Sequence, residues 1–191
     1  KDEYKGLYQL HNLGGGTAKT VFASIISRYQ DPDGDLGISD EGWEIAAKFL
    51  GNAHNIADGE DAVGSVIDGT YPMDEHWASG VLTEQKDRDY KFQIMTPDIG
   101  EPYVVESLAI SAGTKKYDTC VAFLNWLGSS DVQLDWSNNY GTIPCQKEAL
   151  AQVSDDIKEL METLKPQDLD WSFIAENVDA WVEKAELEYV Q

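Results

Sequence analysis

Lys5-Gly6-Leu7-Tyr8-Gln9-Leu10-His11-Asn12-Leu13-Gly14-Gly15-Gly16-Thr17 is the stretch that decides the fold. Residues 5–10 read as a short strand, and Asn12 to Thr17 as a glycine-rich loop that closes it. Over 18–29, Val21, Phe22, Ile25 and Ile26 recur as one helical stripe. A strand, a tight loop and a helix in succession is the unit from which α/β folds are built. Successive glycines let backbone N–H groups converge, and the helix adds its positive end, so an oxyanion or carboxylate suits Gly15, Gly16 and Thr17. The bland alternative is a strand-to-helix turn capped by Thr17. The loop is neither a P-loop nor G-x-G-x-x-G, so nucleotide binding does not follow.

Outward from there, Asp31-Pro32-Asp33-Gly34-Asp35 breaks the chain. Ser39 is a good N-cap for a second helix with Trp43, Ile45, Ala46, Phe49 and Leu50 on its apolar side. A helix over 60–67 stops at Gly69, a favoured residue just past a helix end. Short strands are expected at 73–79, 90–95 and 104–111, and helices at 117–127, 130–138, 154–164 and 171–188. This alternation argues an α/β architecture, a parallel or mixed sheet flanked by helices. The natural division falls at Pro97-Asp98-Ile99-Gly100, a turn-forming stretch.

The chain has 191 residues, enough for one domain or two small lobes without disulfide staples. Fourteen Lys and Arg against 35 Asp and Glu give a net charge of -21. Such a surface repels phosphate backbones, which excludes nucleic acid as the main partner. No run of ~18 apolar residues is present to span a bilayer. Cys120 and Cys145 fit no C-x-x-C or zinc pattern; a single bridge and two buried thiols both remain open.

Catalytic signatures are missing. His11, His54 and His76 are the only histidines, and none sits in H-E-x-x-H or another ligand spacing. There is no G-x-S-x-G elbow, and neither cysteine carries a nucleophile signature. Asp31, Asp33 and Asp35, followed by Gly37, are similar to a calcium loop, because alternate carboxylates can surround a hard cation. Leu36 stands where that loop has Gly, and Gly42 where it has a bidentate Glu; an acidic turn capped by Ser39 is the plain reading. Trp126 reads as core, and Trp43, Trp136, Trp171 and Trp181 as helix-packing residues. Trp77 follows His76 near the end of an expected strand, where ligands of open α/β sheets collect, so both are candidate ligand contacts with Ser79.

Several runs, in order, carry a resemblance to the extracellular solute-binding proteins of ABC transporters, in the type II class of ferric-ion, thiamine, polyamine and phosphonate binders. They are Tyr4-Lys5-Gly6, Gly15-Gly16-Thr17, Gly42-Trp43, Val66 to Met73, Thr96 to Gly100, Ser107 to Ile110 with Ala122 to Gln133, and Tyr140-Gly141-Thr142-Ile143-Pro144. In the fourth run Thr70 replaces the family's Glu. The resemblance implies a periplasmic-binding-protein-like fold: 1–96 most of a second lobe, 97–155 the returning part of a first lobe, and 156–191 closing helices on the second. The beginning of the family pattern would lie upstream. It implies a binding protein without enzymatic activity, which captures a small solute between lobes and passes it to permease subunits. The setting would be the extracellular face of the membrane, as a lipoprotein, or the periplasm. The ferric branch's tyrosine pair is absent from Met73-Asp74-Glu75-His76-Trp77, so an organic ligand with a carboxylate or phosphate suits Gly15, Gly16, Thr17, His76, Trp77 and Ser79 better than bare iron. No cofactor is required; a structural calcium ion is the candidate at Asp31, Asp33, Asp35 and the Gly37 carbonyl. Apolar surface left uncovered by the missing part would favour self-association. The competing reading is a calcium-stabilised extracellular interaction module.

Overall fold

Strand β1 (Tyr8–Leu10) runs into helix α1 (Gly16–Ile26), as the opening stretch requires. A computed structural model describes residues 2–190. They form two units, one from 2–76 with 168–190 and one from 77–167. Among the described residues, no helix is long and apolar enough to cross a membrane.

In the first unit, β1 lies between β3 (His54–Asn55) and β4 (Met73–Asp74), with both pairings parallel. The α/β class therefore holds, with a small parallel sheet. Gln9, buried in the central strand, donates from Nε2 to the Ala62 carbonyl at 2.6 Å, which satisfies its amide. On α1, Ala18, Phe22, Ala23 and Ile26 are buried, the inward stripe of an amphipathic helix. The helix begins two residues earlier than its apolar stripe, with Gly15 at the N-cap.

The acidic stretch forms β2 (Gln30–Asp35), which turns back so that Gln30 and Asp35 each bridge Ile38. Helix α2 (Asp40–Gly51) follows, and the Ser39 side chain accepts from Gly42 N–H. Gly42 is required by space: a Cβ there would lie 2.5 Å from Ile38 Cγ2 and 2.6 Å from Tyr29 Cβ. Helix α3 (Ala62–Asp68) ends at Gly69 with φ +80°, the left-handed conformation expected of it. After the second unit the chain returns through α9 (Trp171–Glu188), whose first N–H groups are capped by Asp170. Ile174, Trp181, Val182 and Ala185 of α9 join Leu10, Phe22, Ile26, Ile38, Trp43 and Leu50 in one apolar core.

The second unit is helical. It holds α4 (Ala78–Arg88), α5 (Tyr117–Leu127), α6 (Ser130–Tyr140), α7 (Lys147–Leu150) and α8 (Asp155–Thr163). Its buried side chains are few: Ser137, Pro144, Ala149, Val153, Ile157 and Leu160. The expected strands at 90–95 and 104–111 do not form, and neither stretch pairs in a ladder. A strand needs a neighbour's N–H and C=O groups, and here Val104 and Val105 are exposed instead. Only Glu101 bridges, to Pro166, with Glu101 N–H bonded to the Lys165 carbonyl at 2.7 Å.

The expected strand over 73–79 stops at Asp74, and α4 begins at Ala78. An i,i+4 pair between Glu84 and Arg88 Nε at 3.0 Å supports that helix. Trp43 and Trp181 pack in the core as expected, whereas Trp126, Trp136 and Trp171 are largely exposed. No residue of α5 is buried, so its Phe123 and Trp126 rings rest on one another rather than on a core. Cys120 and Cys145 are free thiols, the latter exposed.

Candidate functional site

The sheet order β3–β1–β4 places the reversal of strand order between β1 and β4. Ligands of open α/β sheets bind beyond the carboxyl ends of strands at such a reversal. The pairs Tyr8–Met73 and Gln9–Asp74 fix the register. Continued by two residues, that register sets His11 beside His76. Side chains alternate along a strand, so Asp74 and His76 share a face, and Gln9 and His11 share theirs.

One ligand-capable atom from each of His11, Asp74 and His76 lies within 4.8 Å of the other two. His76 Nδ1 is 3.9 Å from Asp74 Oδ2, and the two side chains are only 15% and 8% exposed. His11 Nε2 and Asp74 Oδ1 are buried without a hydrogen-bond partner. Glu75 Oε1 accepts from the His11 backbone N–H at 3.1 Å and so ties the two strand ends together. Burial pushes the Asp74 carboxyl up to about 6, against the opposing pull of His11. Burial likewise pushes Glu75 up to about 7, with the Asp74 charge adding to it. Two imidazoles and a desolvated carboxylate thus converge where a ligand is expected.

Gly15 caps α1 and Gly16 and Thr17 form its first turn, in the same unit as His76. An Asn12 side chain accepting from Gly14 N–H at 2.7 Å shapes the loop. Trp77 is the N-cap residue of α4, exposed, and belongs with Ser79 to the second unit. The Ser79 carbonyl accepts from Thr83 Oγ1 and lies 2.8 Å from where a Gly141 Cβ would be, so its backbone is packed against the end of α6.

The acidic turn holds itself. Asp31 N–H donates to the Gly37 carbonyl at 2.9 Å, Asp31 Oδ1 accepts from Asp33 N–H, and Asp35 pairs with Lys184 Nζ at 3.2 Å. Among the described residues, the metal-capable grouping is His11, Asp74 and His76 rather than these aspartates. A separate shallow cleft of about 460 Å³ is lined by His54, Glu60, Ser65, Thr70 and Tyr71. There the His54 and Tyr71 rings stack at 4.2 Å, and His54 Nε2 pairs with Glu60 at 2.8 Å.

Linear spacing hides His11 and Asp74, because only the parallel register brings them together. The signal was a histidine within two residues of the end of each of two strands, and it requires knowing that those strands are neighbours.

Residues 2–165 match the family described as bacterial extracellular solute-binding protein. The chain belongs to that family. It is 33% identical, over 191 residues and 100% of its own length, to a "Probable ABC transporter periplasmic-binding protein y4fP" of Sinorhizobium fredii (strain NBRC 101917 / NGR234). The chain spans about half of that relative, 53% of its length. No solved structure matches. Membership confirms the resemblance seen in the sequence and agrees with the α/β unit.

Proposed function

We propose that this chain is part of the substrate-binding component of an ABC importer, which captures a small solute and delivers it to permease subunits. The match of the solute-binding family over 2–165 carries the reading. The printed name of the Sinorhizobium relative supports it. Its work is binding, without catalysis, at the extracellular face of the membrane as a lipoprotein or in the periplasm.

The proposed solute contacts are Gly15, Gly16, Thr17 and His76 in the first unit. Trp77 and Ser79 are proposed on the sequence alone. A carboxylate or phosphate on the solute would meet the first N–H groups of α1, which carry the positive end of the helix. Closure of such a protein on its solute stabilises the closed state only by the difference in affinity between states. The exposed apolar side chains of α5 support self-association of the chain taken by itself. A thermal-shift screen of the full-length protein against small carboxylates and phosphates tests the solute class. A raised melting temperature with a member of the panel supports the reading, and no response to any of them contradicts that class.

A further inference from the structure

We infer that His11, Asp74 and His76 form a binding site for a divalent transition-metal ion, with zinc the best match. The inference stands on this cluster alone and holds whether or not the chain serves an importer.

Three observations converge on it. Three donors of the right kinds come from two adjacent strand ends, with ligating atoms all within 4.8 Å. Zinc bonds of about 2.0–2.2 Å to nitrogen and oxygen set tetrahedral edges near 3.4 Å, so side-chain rotations of about 1.4 Å or less close the site. The Asp74 side chain is more than nine-tenths buried, and its Oδ1 meets no hydrogen-bond donor. A buried carboxylate is costly unless a donor or cation compensates it, and an ion bound here supplies that charge. His11 Nε2 is likewise buried without a partner, as an imidazole lone pair waiting for a ligand would be.

The donor set selects the ion. Calcium and magnesium want all-oxygen cages, whereas two imidazoles and one carboxylate suit zinc and its neighbours. Three protein ligands leave a fourth position open to water or to a group on a bound solute. Glu75 supports the site from outside it: by accepting from the His11 backbone N–H, it fixes the strand end that carries one imidazole. The net charge of -21 also draws divalent cations toward the surface.

The test is calorimetric titration of the tag-free, metal-stripped chain with zinc chloride, with calcium and magnesium chloride as controls. The expected result is one zinc per chain and no saturable binding of calcium or magnesium at this site. Loss of one protein ligand should weaken zinc at least as much as loss of an outer-shell partner does, about tenfold to a hundredfold. His11→Ala, His76→Ala and Asp74→Asn should each show it, whereas His54→Ala, outside the cluster, should leave binding unchanged. Circular dichroism on each variant separates lost binding from lost fold, and Co2+ bound to the wild type should show visible d–d bands of a low-coordinate nitrogen and oxygen site. Absence of zinc binding by the wild type, or binding that survives both His11→Ala and His76→Ala, overturns the site. Either result leaves the import reading intact, because that reading is tested by solute uptake.

Discussion

Trp181 Nε1 donates to the Leu36 carbonyl at 2.9 Å, across 145 positions of sequence. Leu36 has φ +52°, a left-handed conformation a leucine adopts only when its surroundings hold it. The neighbouring Asp35 carbonyl accepts from Trp43 Nε1, also at 2.9 Å. Two indoles on two helices therefore grip adjacent carbonyls of one acidic turn. Lys184 completes the clamp, paired with Asp35 and lying 5.1 Å from the centre of the Trp43 ring. The final helix is thereby fixed to the turn.

Trp181→Ala should destabilise the first unit by about 3–5 kcal/mol, because a fully buried indole leaves a cavity as well as a lost hydrogen bond. Trp181→Phe should keep most of the packing and cost about 1–3 kcal/mol, mainly from the unpaired Leu36 carbonyl. Urea denaturation followed by far-UV circular dichroism measures both. Equal losses for the two variants would show that the ring's packing adds little beyond its hydrogen bond, and an unchanged Trp181→Phe would show that the hydrogen bond matters little.

Gly42→Ala should cost about 1–3 kcal/mol, since the new methyl group would press on Ile38 and Tyr29. On propensity alone the same change inside a helix would stabilise by about 0.5–1 kcal/mol. The sign of the change in the urea midpoint decides between contact and propensity.

Calcium at the Asp31 turn is proposed as a structural ion, weak because no bidentate Glu closes the loop. To bind it, Gly37 must share a carbonyl already bonded to Asp31 N–H, and Asp35 must give up part of its pairing with Lys184. Millimolar calcium should raise the melting temperature over that in EDTA, and Asp33→Asn should remove the increase. A melting temperature indifferent to calcium leaves the turn held by its own hydrogen bonds together with Trp43, Trp181 and Lys184.

The α5 face should make the isolated chain associate with itself. Phe123 and Trp126 are 51% and 54% exposed there with their rings 5.7 Å apart, an uncovered apolar pair that favours association. Analytical ultracentrifugation should show dimers or larger species whose proportion falls in Phe123→Glu and Trp126→Glu. A wild-type chain that stays monomeric at high micromolar concentration contradicts the self-association.

The legible parts of the sequence were those whose information is local. Val21 to Ile26, Ser39 with Trp43, and Gly69 announce α1, α2 and the end of α3 through stripe, cap and stop. Tyr117–Leu127 carries an equally good apolar stripe and does form α5, yet periodicity does not say whether a partner covers it. The same limit applies to 104–111, where Val104 and Val105 favour a strand but have no ladder to join. The corner was hidden for a different reason. β4 has two residues, too few for alternation to be read, and the meeting of His11 with His76 depends on a parallel crossover that passes no signal through local spacing.

The central claim is that the protein containing this chain feeds a small solute to an importer. It is tested most directly by deleting its gene and following depletion of small solutes from the growth medium by mass spectrometry. One solute, or a few of one chemical class, should remain in the medium of the deletion strain, and complementation should restore their removal. Depletion identical to that of the parent across all the solutes of the medium would contradict the account.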